Sequence, residues 1–201
     1  MNTIAVIIPA AGFGRRMRGR DKLLEPIDGV ALLARVVSRA CAVSREVIVT
    51  LPVANPARRA CLSDSPATLV EVPEAFEGMA ASIRRAMTQI PARSDGVMIL
   101  PADMPDLTQQ DLALVCQQFE ALGKQQLCCG ASAAGHIGHP VIFPTDCFEA
   151  LGRITGDHGG RTILMQNNYR LNAVHLPNEN AVTDLDSPED WRAWRATSLY
   201  P

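Results

Sequence analysis

The chain has 201 residues, 47% of them apolar and 20% charged, with a formal net charge of −2. That length supports one globular domain with a large core, expected to span residues 1–201. A near-zero charge supplies no basic excess to displace counterions from a polyanion, which argues against general nucleic-acid binding. No apolar run approaches the ~20 residues that cross a bilayer. The first apolar run begins too close to Met1 for a leader peptide, so a cytoplasmic protein without membrane contact is expected. Cys41, Cys61, Cys116, Cys128, Cys129 and Cys147 include no Cys-x-x-Cys pair and read as buried free thiols rather than a metal or redox site.

The first predicted strand is the unbroken run Ile4-Ala5-Val6-Ile7-Ile8, short and β-branched, as a strand buried on both faces should be. After Pro9 it breaks into Ala10-Ala11-Gly12-Phe13-Gly14, followed by Arg15, Arg16, Arg18, Arg20 and Lys22. Small residues let backbone approach a ligand, and outward-pointing amides in such a loop form a nest for anionic oxygens. With all five cations within reach of the small-residue backbone from Ala10 to Gly14, the stretch is expected to be a triphosphate-binding loop at the carboxyl end of the first strand. Two better-known phosphate loops fit less well. A Walker loop needs Gly-Lys-Ser/Thr, where this chain has Gly14-Arg15-Arg16. A dinucleotide fingerprint needs a small residue where Met17 stands.

The remaining elements follow in order. Asp28-Gly29 marks a turn, and helical spacing of apolar residues predicts a helix over 31–43. Strands are expected at 46–50, 68–72 (near an edge) and 96–100, with a short helix at 57–62 and a longer one at 78–90. Thr108 is positioned to cap a helix reaching about 122. Strands at 127–131, 141–143 and 170–175, helices at 145–151 and 160–166, and a final helix from Ser187 complete the chain. This alternation implies right-handed crossovers, a mostly parallel sheet with helices on both faces, and ligands at the carboxyl ends of the strands.

Asp103 follows a predicted buried strand and is fenced by Pro101 and Pro105. It would hold Mg²⁺ against a phosphate, the usual mode for that ion; the alternative is that Asp103 or Asp106 caps the next helix. Ser187-Pro188-Glu189-Asp190 is a helix start that needs no function. It leaves Asp184 and Asp186 on alternate positions of an apparent strand end, either as further metal ligands or as a solvated face. His139, between Gly138 and Pro140, is a ligand contact or a turn histidine. Gly156-Asp157-His158-Gly159-Gly160-Arg161 is a second anion loop or a flexible connection. No Ser/His/Asp or Cys/His nucleophile arrangement is legible.

Taken together, Pro9-Ala10-Ala11-Gly12-x-x-x-Arg16-Met17 with Lys22, Ala102-Asp103-Met104-Pro105, Gly138-His139-Pro140, Gly156-Asp157-x-Gly159-Gly160-Arg161 and Asp184-Leu185-Asp186-Ser187-Pro188-Glu189-Asp190 resemble the molybdenum cofactor nucleotidyltransferases. The resemblance covers nearly the whole chain. Ala10-Ala11-Gly12 favours the cytidylyl branch, whereas the spacing from Met17 to Lys22 resembles the guanylyl branch. The resemblance implies a Rossmann-like three-layer α/β/α nucleotidyltransferase fold and transfer of CMP from CTP, or alternatively GMP from GTP, to the phosphate of molybdopterin, with Mg²⁺. It implies that Gly12, Arg16 and Lys22 hold the triphosphate, with Lys22, Asp103 and Arg16 as the catalytic set. Asp103 with Asp184 or Asp186 would hold the metal, and Ser82 would lie by the nucleotide. His139, Asp157 and Arg161 would face the pterin, and a molybdoenzyme would receive the product. The opening motif also resembles methylerythritol phosphate cytidylyltransferases, but their Asp-Ala-Ala-Arg-Pro stretch is replaced here by Pro101-Ala102-Asp103-Met104-Pro105. Two rival readings are an NAD-dependent dehydrogenase, disfavoured by Thr50-Leu51-Pro52 where a ribose-binding acid belongs, and a non-catalytic molybdopterin carrier.

Overall fold

A computed structural model describes residues 3–12, 15–156 and 160–197. The chain runs through β1 (Ile4–Pro9), β2 (Pro26–Ile27), β3 (Val30–Ala31), α1 (Leu32–Val43), β4 (Val47–Pro52), α2 (Pro56–Ala60), β5 (Thr68–Val72) and α3 (Met79–Met87). It continues through β6 (Gly96–Ile99), α4 (Gln109–Ala121), β7 (Leu127–Ala131), β8 (Ile137–Pro144), α5 (Phe148–Leu151), α6 (Arg161–Gln166), β9 (Leu171–His175) and α7 (Pro188–Thr197). Seven strands form one sheet in the order β5-β4-β1-β6-β8-β7-β9, and β2 with β3 makes a separate small hairpin.

The apolar runs explain the layering. Along β1, Ile4, Val6 and Ile8 face one core and Ala5 and Ile7 the other, all at 1% exposure or less. The first core packs beneath α1, α4 and α7, where Trp191 and Trp194 meet edge to face. The second packs beneath α3, α5 and α6 through Ile83, Leu151 and Ile163. A sheet covered on both faces needs continuous hydrophobic strands, which is what the chain supplies at β1, β4 and β6. The fold is the Rossmann-like α/β/α arrangement expected, with β5 at the sheet edge.

The order of strands creates the crevice. From β1 the chain steps outward through β4 to β5, then returns to pair β6 on the other side of β1. The loops leaving β1 and β6 therefore part in opposite directions at their carboxyl ends, opening a space for a ligand.

One strand differs from expectation in both length and direction. β8 begins at Ile137 rather than Val141 and runs antiparallel to its neighbours β6 and β7. Gly138 and Pro140 disguise its first half, since both are poor strand formers. Packing requires the glycines: a Cβ on Gly138 would overlap the Ala181 carbonyl, and one on Gly130 would overlap the His139 carbonyl. The reversal brings the start of β8, with His139, to the rim where β6 ends.

No helix among the described residues is long and apolar enough to cross a membrane. Cys116, Cys128, Cys129 and Cys147 are buried, and Cys41 and Cys61 are half-buried. Burial pushes the Cys128 thiol up to about 12, and those of Cys129 and Cys147 up to about 11. A thiol-exchange reagent at about pH 8 should modify Cys41 and Cys61 first, and the other four only after unfolding. The unfolded chain releases these thiol protons near pH 9 while the folded chain keeps them, so stability is constant up to about pH 9 and declines as the pH rises from there toward 11. Urea midpoints followed across that range check the sign.

Candidate active site

A cleft of about 480 Å³ opens at the β1/β6 crevice, lined on one side by Ala10, Gly12, Arg16 and Lys22 and on the other by Ala102, Asp103 and Asp186. Ser82, buried at 3% exposure on α3, faces the same space, as do Gly78 and the exposed Phe76.

The centre of the cleft is a charge cluster. Lys22 Nζ lies 2.6 Å from Asp103 Oδ2 and 2.5 Å from Asp186 Oδ1. Arg16 reaches in from solvent to hold the other Asp186 oxygen at 2.7 Å. Burial opposes the charge on Lys22, but Asp103 and Asp186 together outweigh it and raise the ammonium above its usual range. The lysine is therefore charged at any working pH. Asp184 stands at the edge, its carboxyl pushed up by partial burial and then by the charges of Asp186 and Asp103.

Each member has a local reason for its place. Asp21 caps the turn Lys22–Leu24 by accepting from the Leu23 amide at 3.1 Å, which sets where Lys22 starts. The alternative for Asp103, helix capping, is removed: Thr108 and Asp111 cap α4 reciprocally, and Asp106 accepts from Trp194 Nε1 at 2.8 Å. Asp103 is left facing the cleft. Its backbone carbonyl accepts from the Leu185 amide at 3.1 Å, so the segment after β9 is pinned across the rim. Asp184 and Asp186 thus lie in an irregular segment, not at a strand end; buried Leu185 points inward and its neighbours outward. Asp190 accepts from the amides of Asp186 and Ser187 while Ser187 Oγ accepts from Asp190, confirming the helix start and fixing Asp186.

The other expected residues divide. Ala10 and Ala11 are both buried, Ala11 against Val72, Ala75 and Ala81, which accounts for their size. Of the cations after the loop, Arg18 pairs with Glu189 and Arg20 with Glu25, away from the cleft lining. His139 sits beside Asp103 in a cis His139–Pro140 pair; its Nδ1 is buried with no hydrogen-bond partner among the described residues. Burial lowers its pKa, against the opposing charge of Asp103 and a backbone hydrogen bond at Ile99. Arg161 begins α6, exposed and outside the cleft lining. Gly156 accepts from the Ala80 amide, tying the loop before α6 to the first turn of α3. Gly14 and Asp157 lie outside the described residues.

Sequence reasoning missed Arg58. From α2 it donates to both oxygens of Asp21, at 2.7 and 2.9 Å, and to the carbonyls of Ala10 and Gly12, at 2.6 and 2.9 Å. Thr50 was missed as well: its carbonyl and hydroxyl both accept from the Ala10 amide. Neither residue belongs to a periodic pattern or a charge run near the loop.

Two carboxylates converging on one ammonium form an oxygen donor set suited to a hard divalent cation, with phosphate oxygens completing it. Among the described residues no group of three or more His, Cys, Asp or Glu side chains is arranged to hold an ion unaided. Mg²⁺ commonly binds through one or two carboxylates completed by phosphate oxygens, and a donor set of this size fits that mode.

The family model of the MobA-like NTP transferase domain matches residues 6–172. The molybdenum cofactor guanylyltransferase of Cereibacter sphaeroides is 30% identical over 196 residues, which is 96% of this chain and 95% of that protein. Among solved structures, Rv0371c of Mycobacterium tuberculosis superposes with a TM-score of 0.82 at 24% identity, covering 98% of this chain and 99% of its own. Its complex with manganese superposes with a TM-score of 0.77 at 22% identity, covering 97% of this chain and 99% of its own.

The tight contact at Gly138 gives a direct test of the rim. Gly138→Ala forces the Ala181 carbonyl aside and should cost about 3 kcal/mol of stability, measurable by urea unfolding.

Proposed function

Since the chain belongs to the MobA-like NTP transferase family and is a nucleotidyltransferase, we propose that it transfers a nucleoside monophosphate from a triphosphate to the phosphate of molybdopterin. The observation that carries this reading is the meeting of Lys22, Arg16, Asp103 and Asp186 in one cleft beside a glycine-containing loop. GTP is the nucleotide we propose, because the curated relative matched over almost its full length is named a guanylyltransferase. The motif Ala10-Ala11-Gly12 speaks for CTP, and the assay below separates the two.

In the proposed reaction an oxygen of the acceptor phosphate attacks the α-phosphorus of the nucleotide in line. A new P–O bond forms as the bond to the bridging oxygen breaks, and pyrophosphate leaves with that electron pair. Both reactants are polyanions, so repulsion and misalignment are the chief obstacles, and correct placement can remove about 7–11 kcal/mol of barrier. Lys22 and Arg16 face the triphosphate and offset the charge that develops on the leaving oxygens. Asp103 and Asp186, with Asp184 near, would hold the metal; manganese in the complex of the Mycobacterium tuberculosis relative supports a divalent ion. Bound there, Mg²⁺ would polarise the phosphoryl oxygens and orient them for displacement. Gly12, Gly14 and Ser82 would line the nucleotide, with His139, Asp157 and Arg161 toward the acceptor. A molybdoenzyme would take the product.

Pyrophosphate release, measured with each of the four NTPs with and without molybdopterin, tests the reading. Release with GTP and molybdopterin together is expected, and a chelator should abolish it until Mg²⁺ or Mn²⁺ is restored. Release with CTP alone among the NTPs would reassign the base, and no release with any NTP would overturn the proposal. Asp103→Ala should lower turnover by roughly 10³-fold or more while the melting curve stays cooperative. Unchanged turnover would remove Asp103 from the reaction.

A further inference from the structure

We propose that Arg58 is a positioning residue that sets the conformation of the nucleotide loop, an inference that rests on the triphosphate reading of that loop. Its side chain is 4% exposed, and it contacts the loop region at both ends of residues 10–21. At one end Nη1 donates to the carbonyls of Ala10 and Gly12. At the other, Nε and Nη2 grip both oxygens of Asp21, the residue that caps the turn carrying Lys22.

The geometry has a consequence for the amides. In a trans peptide the carbonyl and the following N–H point in opposite directions. A carbonyl of Ala10 drawn to Arg58 therefore turns the Ala11 amide away from the guanidinium. That amide and the one of Gly12 have no acceptor among the described residues, whereas the Ala10 amide is satisfied by Thr50. The Ala10 oxygen is held on the side of Arg58, so the Ala11 donor is left for an anion on the other side. Gly12 itself faces open space, with no atom within 4 Å of where a Cβ would be. The guanidinium suits the task because its planar fork serves two carbonyls and a bidentate carboxylate at once, which a lysine ammonium cannot do.

Arg58 touches neither the nucleotide's expected position nor the acceptor's, so its effect should appear in nucleotide binding. A purely structural role would lower the folded fraction, reducing apparent kcat and leaving affinity and KM unchanged. Inorganic tripolyphosphate and GTP with Mg²⁺ are titrated calorimetrically into the wild type, Arg58→Lys and Asp21→Asn, well below each melting temperature. Arg58→Lys should bind tripolyphosphate about tenfold more weakly and raise the nucleotide KM by a similar factor, with kcat changed far less and the acceptor KM unchanged. Asp21→Asn, which keeps the carbonyl contacts, should lose about threefold. A folded Arg58→Lys with wild-type affinity for tripolyphosphate overturns the inference. If Arg58→Lys fails to fold, unchanged affinity in Asp21→Asn does so instead. Wild-type protein that binds neither ligand overturns the loop assignment, and this inference with it.

Discussion

The site depends on one ammonium held between two carboxylates. Lys22, Asp103 and Asp186 come from the start, middle and end of the chain, 81 and 164 residues apart from the lysine. Like charges brought this close would repel, and a buried lysine alone would tend to lose its proton. The two carboxylates are tolerable together because Lys22 lies between them and Arg16 pairs with the second oxygen of Asp186. The cluster therefore fixes where the first loop, the end of β6 and the segment before α7 meet. With Arg16 included the cluster's charges balance, so it holds the rim together without a net charge that would open it.

Much of this was legible beforehand. Buried parallel strands are continuous apolar runs, so β1, β4 and β6 stood out with nearly correct bounds. Capping residues marked α4 and α7, because Thr108 and Ser187 offer side-chain oxygens at positions where helix amides lack partners. Asp103 and Lys22 could be placed on one rim from topology alone, since both follow strands of a parallel sheet.

What escaped had physical causes. The first half of β8 holds Gly138, where the Ala181 carbonyl leaves no room for a Cβ, followed by His139 and Pro140, so its composition resembles a loop. Asp184 and Asp186 alternate like strand residues, yet Leu185 is held by the Asp103 carbonyl and not by a sheet ladder. The cations after the loop crowd together in sequence, but Arg18 and Arg20 are captured by Glu189 and Glu25, whose positions only the fold reveals. Arg58 carried no local signal at all: its partners lie 37 to 48 residues away, and its burial is the result of a tertiary ion pair.

The backward course of β8 has an effect beyond the sheet. A forward strand would present its exit to the cleft; a reversed one presents its entrance, through a five-residue connection from β7 over 132–136. That connection turns on the bonds between Ser132, Gly135 and His136 and stands largely in solvent. It joins β7 and β8 on the far side of β6 from β1, β4 and the loop after β1. Lengthening or recutting that single hairpin would reshape one end of the rim and leave the Lys22–Asp103–Asp186 cluster in place.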